Sequence, residues 1–179
     1  MNNTIRQNFF EFYYDFGSPN SFLAHCVIDK IEKKTGYKAL YKPVLLGGIF
    51  RLTNNQPPLI AFKNVKNKIF YIKKEINRFV KNHKIKYRMN DNFPLRTVEM
   101  MRASVFLENS SHYKEFINTI FFHIWTEPKK MDDYETFKKI IRKSKLPEKE
   151  IIDAIKTDNI KNKLKEYTDQ AVEKGIFGL

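Results

Sequence analysis

One short stretch near the start of the chain restricts the fold more than any other. Asn8 to Phe16 reads NFFEFYYDF, with aromatic rings at both odd and even positions. Successive side chains of a strand point to opposite faces, so a run that is apolar on both parities is expected to be covered on both. We therefore read a central, buried strand. Ser18-Pro19 follows it almost at once. Serine is a good helix N-cap, and proline is preorganised for the first helical turn. Phe22, Leu23, Val27 and Ile31 give the expected helix an apolar face, and Gly36 ends it. Lys38 to Val44 reads as a second strand. A strand, a helix and a strand imply a βαβ unit with parallel strands.

Beyond that unit the chain reads as helical for a long way. Ile69, Ile72, Ile76, Phe79 and Val80 recur at helical spacing, as do Met100, Ala103, Ser104 and Leu107 after a start at Pro94. Phe116, Ile117, Ile120, Phe121 and Ile124 mark another helix. Shorter helices fit Asp132 to Lys143 and Pro147 to Thr157, and a last one runs from Asp158 to Lys174 with Gly175 as its stop. Two strands alone do not make a stable sheet covered on both faces. The apolar Gly175-Ile-Phe-Gly-Leu179 stands where a further strand is expected, so the chain reads as unfinished.

A length of 179 residues suits one elaborated domain, and 42% hydrophobic residues exclude a disordered chain. Cys26 is the single cysteine, so no intramolecular disulfide forms and a cytoplasmic-type compartment is expected. Met1 to Asn8 is polar and gives no export signal, and no apolar run is long enough to span a membrane. The formal net charge of +13 favours acidic ligands. Its lysines are spread along the chain in pairs such as Lys73-Lys74 and Lys138-Lys139, which read as solvated helix faces. With no RNA-binding aromatic motif present, nucleic acid is not an expected partner.

Ser18 is the first candidate for chemistry, at the junction of a buried strand and a helix start. Free N–H groups and a partial positive charge favour an anion or a thiolate at such a place, and a hydroxyl adds one hydrogen bond. An ordinary N-cap explains the same residue. Cys26 reads as a small core residue, Asp15 as the acceptor of a turn hydrogen bond, and Trp125 with the aromatics around Phe121 as core. His25, His83, His112 and His123 show no metal-ligand spacing.

Several stretches, in order along the chain, carry a family resemblance. FYYDFGSPNSFLA (Phe12 to Ala24) and KPVLLGGIF (Lys42 to Phe50) are similar to opening and second-strand motifs of the 2-hydroxychromene-2-carboxylate isomerase and kappa-class glutathione transferase family. TNNQPP (Thr53 to Pro58), NKIFY (Asn67 to Tyr71), FPLRTVEMMRA (Phe93 to Ala103) and the closing YTDQAVEKGIFGL resemble later ones. The resemblance implies an α/β fold: a thioredoxin-like domain with an inserted all-helical domain, here lacking the usual last two strands and final helix. Residues 1–45 and 158–179 would form the thioredoxin-like part, and 46–157 the insert. Where related oxidoreductases carry C-x-x-C, this chain has Ser18-Pro19-Asn20-Ser21, which excludes dithiol exchange on the protein itself.

By the same resemblance the nucleophile is the thiol of glutathione, added to an electrophilic aromatic carboxylate in a cis–trans isomerisation or transferred to an electrophile. Ser18 would hydrogen-bond the sulfur. Asn55 and Leu179 would contact the peptide, and Lys68 a carboxylate. Asn54 and Arg96 depart from the pattern, where the family has Gly and often Asn. A homodimer or a completing C-terminal fragment are the protein partners expected. The rival reading is an inactive or split fragment of such an enzyme.

Overall fold

The computed structural model describes residues 8–179, so the polar Met1–Gln7 part of the expected leaderless N-terminus lies outside the described residues. Strand β1 (Phe9–Tyr14) pairs in parallel with β2 (Lys38–Pro43), Phe9 opposite Lys38 and Tyr14 opposite Pro43. These two make up the sheet among the described residues. The turn after β1 leads into α1 (Pro19–His25), with Pro19 in its first turn and Ser18 as N-cap. A break at Cys26-Val27 separates it from α2 (Ile28–Thr35), where one continuous helix was expected. Val27 stands at φ −114°, ψ −3°, off helical values, and the kink turns both Val27 and Ile28 into the interior. Gly36 closes α2 at φ 75°, in the left-handed region that costs other residues strain.

Seven helices follow before the last. Two short ones, α3 (Leu46–Leu52) and α4 (Pro58–Ala61), carry no long periodic pattern and were not foreseen. Then come α5 (Lys68–His83), α6 (Val98–Leu107), α7 (Tyr113–Trp125), α8 (Tyr134–Lys143) and α9 (Glu148–Ala154), each within the expected stretch. Asp133 caps α8 by accepting from the Thr136 N–H, and Thr157 caps α10 (Asp158–Glu173) by accepting from the Ile160 N–H.

The main core runs without interruption from the βα unit into the later helices. Tyr14, Phe16 and Phe22 share it with Phe116, Phe121 and Trp125. Phe16 meets Phe121 edge-on at 4.9 Å between ring centroids, and the Trp125 indole donates to the Phe16 carbonyl at 2.8 Å. Side chains from both sequence regions therefore exclude water from one interior. A smaller cluster of Val44, Ile49 and Ala171, joined by Tyr13, Ile176 and Leu179, ties α3 and α10 to the sheet. Gly48 allows that approach, since a Cβ there would stand 3.0 Å from the Thr168 methyl.

The expectation of a first strand buried on both faces needs correcting. Phe9 is 49% exposed, and only the end at Tyr14 is fully covered. The reason is the placement of the covering helices. Trp125, Phe121 and Phe22 crowd the carboxyl end of the strand, while among the described residues its amino end at Phe9 pairs with β2 and stays half exposed.

Candidate functional site

The turn from β1 to α1 is organised around the Asp15 carboxylate, which is 1% exposed. Its Oδ1 accepts from the Gly17 N–H at 2.8 Å and from the Thr97 hydroxyl at 2.7 Å. Its Oδ2 accepts from the Leu46 N–H at 2.8 Å. Asp15 is thus the turn acceptor the sequence suggests, and it also clamps the start of α3 and the start of α6. Burial pushes its carboxyl above the ordinary value, against the lowering pull of those three donors.

That clamp presents Ser18. Its Oγ accepts from the Ser21 N–H at 3.1 Å, as an N-cap should, and donates to the Leu179 carbonyl at 3.2 Å. Cap and second contact coexist because a hydroxyl has one proton and two lone pairs. Ser21 is also buried, and its Oγ has no hydrogen-bond partner. A buried polar oxygen without a partner is uncommon and costly. It sits at the position of the second cysteine in the C-x-x-C pattern.

Asn55 lies in the turn between α3 and α4, with its side-chain amide donating to the Phe177 carbonyl at 2.9 Å. Leu179 rests in the small cluster formed by Val44, Ile49 and Ala171. Three of the residues named from sequence therefore converge: Ser18 and Asn55 both reach the backbone of 177–179. Lys68 does not join them through any described contact. It begins α5, with its ammonium 5.2 Å from the centre of the Phe62 ring.

Cys26 is exposed at the α1–α2 break rather than placed in the core, which corrects the expectation for it. Val27 keeps the inward place expected of it, while Cys26 beside it, at the break between the two helices, faces outward. The apolar surroundings of the thiol still push its pKa up to about 11, so little thiolate forms at neutral pH. His25 is held at both ring nitrogens, by the Tyr41 hydroxyl at 2.7 Å and the Asn118 side-chain oxygen at 2.9 Å. Burial lowers its pKa, against the raising effect of Asn118 and Asp29. No helix among the described residues is long and apolar enough to cross a membrane.

Sequence reasoning missed Thr97. It lies in the FPLRTVEMMRA stretch, where the threonine itself was the signal, but only the fold shows that its partner is Asp15.

The arrangement can be compared with known proteins. Residues 10–179 match the family described as DSBA-like thioredoxin domain. Rat glutathione S-transferase kappa 1 is 26% identical over 179 aligned residues, covering 94% of this chain and 77% of that one. Among solved structures, a 2-hydroxychromene-2-carboxylate isomerase superposes with a TM-score of 0.79 at 21% identity, covering 96% of this chain and 82% of that one. A Nitrosomonas europaea protein, solved as a candidate protein disulfide isomerase, gives 0.66 at 13% identity, with 95% and 80% covered. The resemblance carried by the motifs is borne out. Since the match begins within β1 and takes in every later element through Leu179, this chain belongs to the DSBA-like thioredoxin domain family.

Proposed function

We propose that the chain is a glutathione-dependent isomerase or transferase in which Ser18 stabilises the thiolate. The observation that carries the reading is a buried hydroxyl at the head of α1, with its proton directed at the 177–179 backbone. Its similarity to a kappa-class glutathione transferase supports the class of reaction.

The residues present fit a peptide thiol. Ser18 supplies a hydroxyl donor of the kind a thiolate accepts, and Asn55 supplies an amide donor. The backbone of 177–179 lies beside both, and Lys68 offers a cation for a carboxylate. With Ser at positions 18 and 21, the protein has no dithiol of its own there. Bound glutathione would supply the nucleophilic sulfur for addition to an electron-poor double bond or other electrophile.

The chain's own part is positional and electrostatic. Asp15 holds the backbone of Gly17 and Leu46, and so fixes the Ser18 turn. The Ser18 oxygen is held in turn by the Ser21 N–H, which leaves its proton free to point one way. A fixed donor aimed at developing or existing charge needs no reorganisation during reaction. To engage a sulfur, Ser18 exchanges its bond to the Leu179 carbonyl for the new one.

Ser18→Ala tests the reading. One hydrogen bond to a charged group is worth ~1.5–3 kcal/mol, so thiolate formation should fall about tenfold to hundredfold. Ultraviolet absorbance of protein-bound glutathione against pH reads the shift directly. An unchanged titration curve with glutathione bound would reduce Ser18 to a helix cap.

A further inference from the structure

A cavity of about 720 Å³ opens on the other end of α1, between α2, β2, α7 and the residues just after α5. None of Ser18, Asn55, Lys68 or Leu179 lines it. Its size is that of a small-molecule pocket, and such pockets combine apolar walls with a few convergent polar groups. The walls include His25, Tyr41, Ile85, Tyr113 and Phe122. His25 and Tyr41 are locked together at 2.7 Å, and His25 stacks on Phe121 at 5.0 Å between ring centroids. These are flat, rigid surfaces with polar edges.

The charge lining the cavity is unbalanced. Two acids line it, and both are answered. Glu32 accepts from the Lys38 ammonium at 2.7 Å and from the Ala39 N–H at 2.9 Å. Asp29 faces Lys114 at 3.9 Å. Lys30, Lys84 and Lys86 also line the cavity, and none is in an ion pair among the described residues. Burial disfavours the charged form of the His25 ring. Aromatic side chains lining the same cavity as three lysines outside any ion pair favour a ligand that is flat, apolar and negatively charged at one end.

We propose that this cavity binds one small aromatic monoanion, a carboxylate or sulfonate, at a site separate from the Ser18 turn. The ring system lies against the Tyr41, Tyr113 and Phe122 side, and the anionic group faces the Lys84 and Lys86 edge. The site does not depend on glutathione binding at Ser18.

The test uses 8-anilinonaphthalene-1-sulfonate, with the neutral N-phenyl-1-naphthylamine as comparator. The sulfonate should bind saturably, one per chain, and the exposed double variant Lys84→Glu/Lys86→Glu should weaken it roughly tenfold or more. The neutral comparator should bind wild type and variant equally. Cys26 lines the same cavity and is the only thiol, which makes it a reporter of where the probe sits. Its alkylation by iodoacetamide at alkaline pH should slow in step with probe saturation. Equal affinity in wild type and the charge-reversed variant would overturn the proposal. So would alkylation that ignores the probe, because the dye would then be bound on another exposed apolar surface such as that around Phe70. Displacement of the probe by glutathione would overturn the separateness of the site.

Discussion

The Thr97 hydroxyl donates to the buried Asp15 carboxylate at 2.7 Å, joining the entrance of α6 to the turn that carries Ser18. Thr97 is itself buried, so no water replaces the bond if the hydroxyl is lost. Thr97→Val keeps the shape and removes the donor. It should cost about 1.5–3 kcal/mol, the range for a hydrogen bond to a charged group, and Thr97→Ser should restore most of it. Urea unfolding measures both. A valine variant as stable as wild type would mean that Gly17 and Leu46 alone hold the carboxylate.

Asp15 also sets a pH dependence. Its folded carboxyl keeps a proton to higher pH than an unfolded one, because burial raises its pKa. Between the two values the folded chain binds more protons, so this group's contribution to stability falls as pH rises from about 4. Glu11 and Glu32 shift the other way, lowered chiefly by Lys174 and by the Ala39 N–H respectively. The readout is therefore the difference between wild type and Asp15→Asn. Relative to the variant, wild type should lose unfolding free energy across that window. Parallel curves would show that Asp15 titrates normally.

Cys26 should behave as an ordinary, slow thiol. With its pKa raised to about 11, alkylation by iodoacetamide should accelerate roughly tenfold per pH unit from pH 7 to 10. Insulin reduction with dithiothreitol should not exceed the uncatalysed rate. Reduction that is abolished by Cys26→Ser would contradict both expectations.

Lys68 should act on binding more than on chemistry. Lys68→Ala should weaken glutathione roughly tenfold to hundredfold, the range for one charge-assisted hydrogen bond, while leaving the saturated rate nearly unchanged. Lys68→Arg should recover part of the loss. Calorimetric titration showing wild-type affinity in Lys68→Ala would remove it from the site and leave it a partner of the Phe62 ring alone.

Much of this architecture was legible because its signals are local. The paired aromatics of β1, the Ser18-Pro19 start and the Gly36 stop each act within a turn or a strand, and so did the periodic stretches of α5, α6 and α7. The helix break at Cys26-Val27 was not legible. Both Val27 and Cys26 fit a continuous apolar face, and only packing against the core selects the kink. The short α3 was hidden for a related reason: Leu46 to Leu52 is held by the Leu46 N–H on Asp15 and by Gly48 against Thr168, both distant in sequence. At the site, Ser18, Asn55 and Leu179 were named from motifs and do converge. The Asp15–Thr97 bond that supports them has no local pattern to betray it.

The three donors on Asp15 also close loops of very different length. Gly17 is two residues away, Leu46 is 31 away and Thr97 is 82 away. Closing the longest of these loops costs about 0.9 kcal/mol more chain entropy than closing the middle one. Thr97 is therefore the costliest of the three partners to bring to the carboxylate, and the one expected to be missing from the folding transition state. Thr97→Val should then accelerate unfolding and leave refolding nearly unchanged, a φ-value near zero. A slowed refolding rate in Thr97→Val would instead place the Asp15–Thr97 bond in the folding nucleus, and the Ser18 turn would then be set early through a partner 82 residues away.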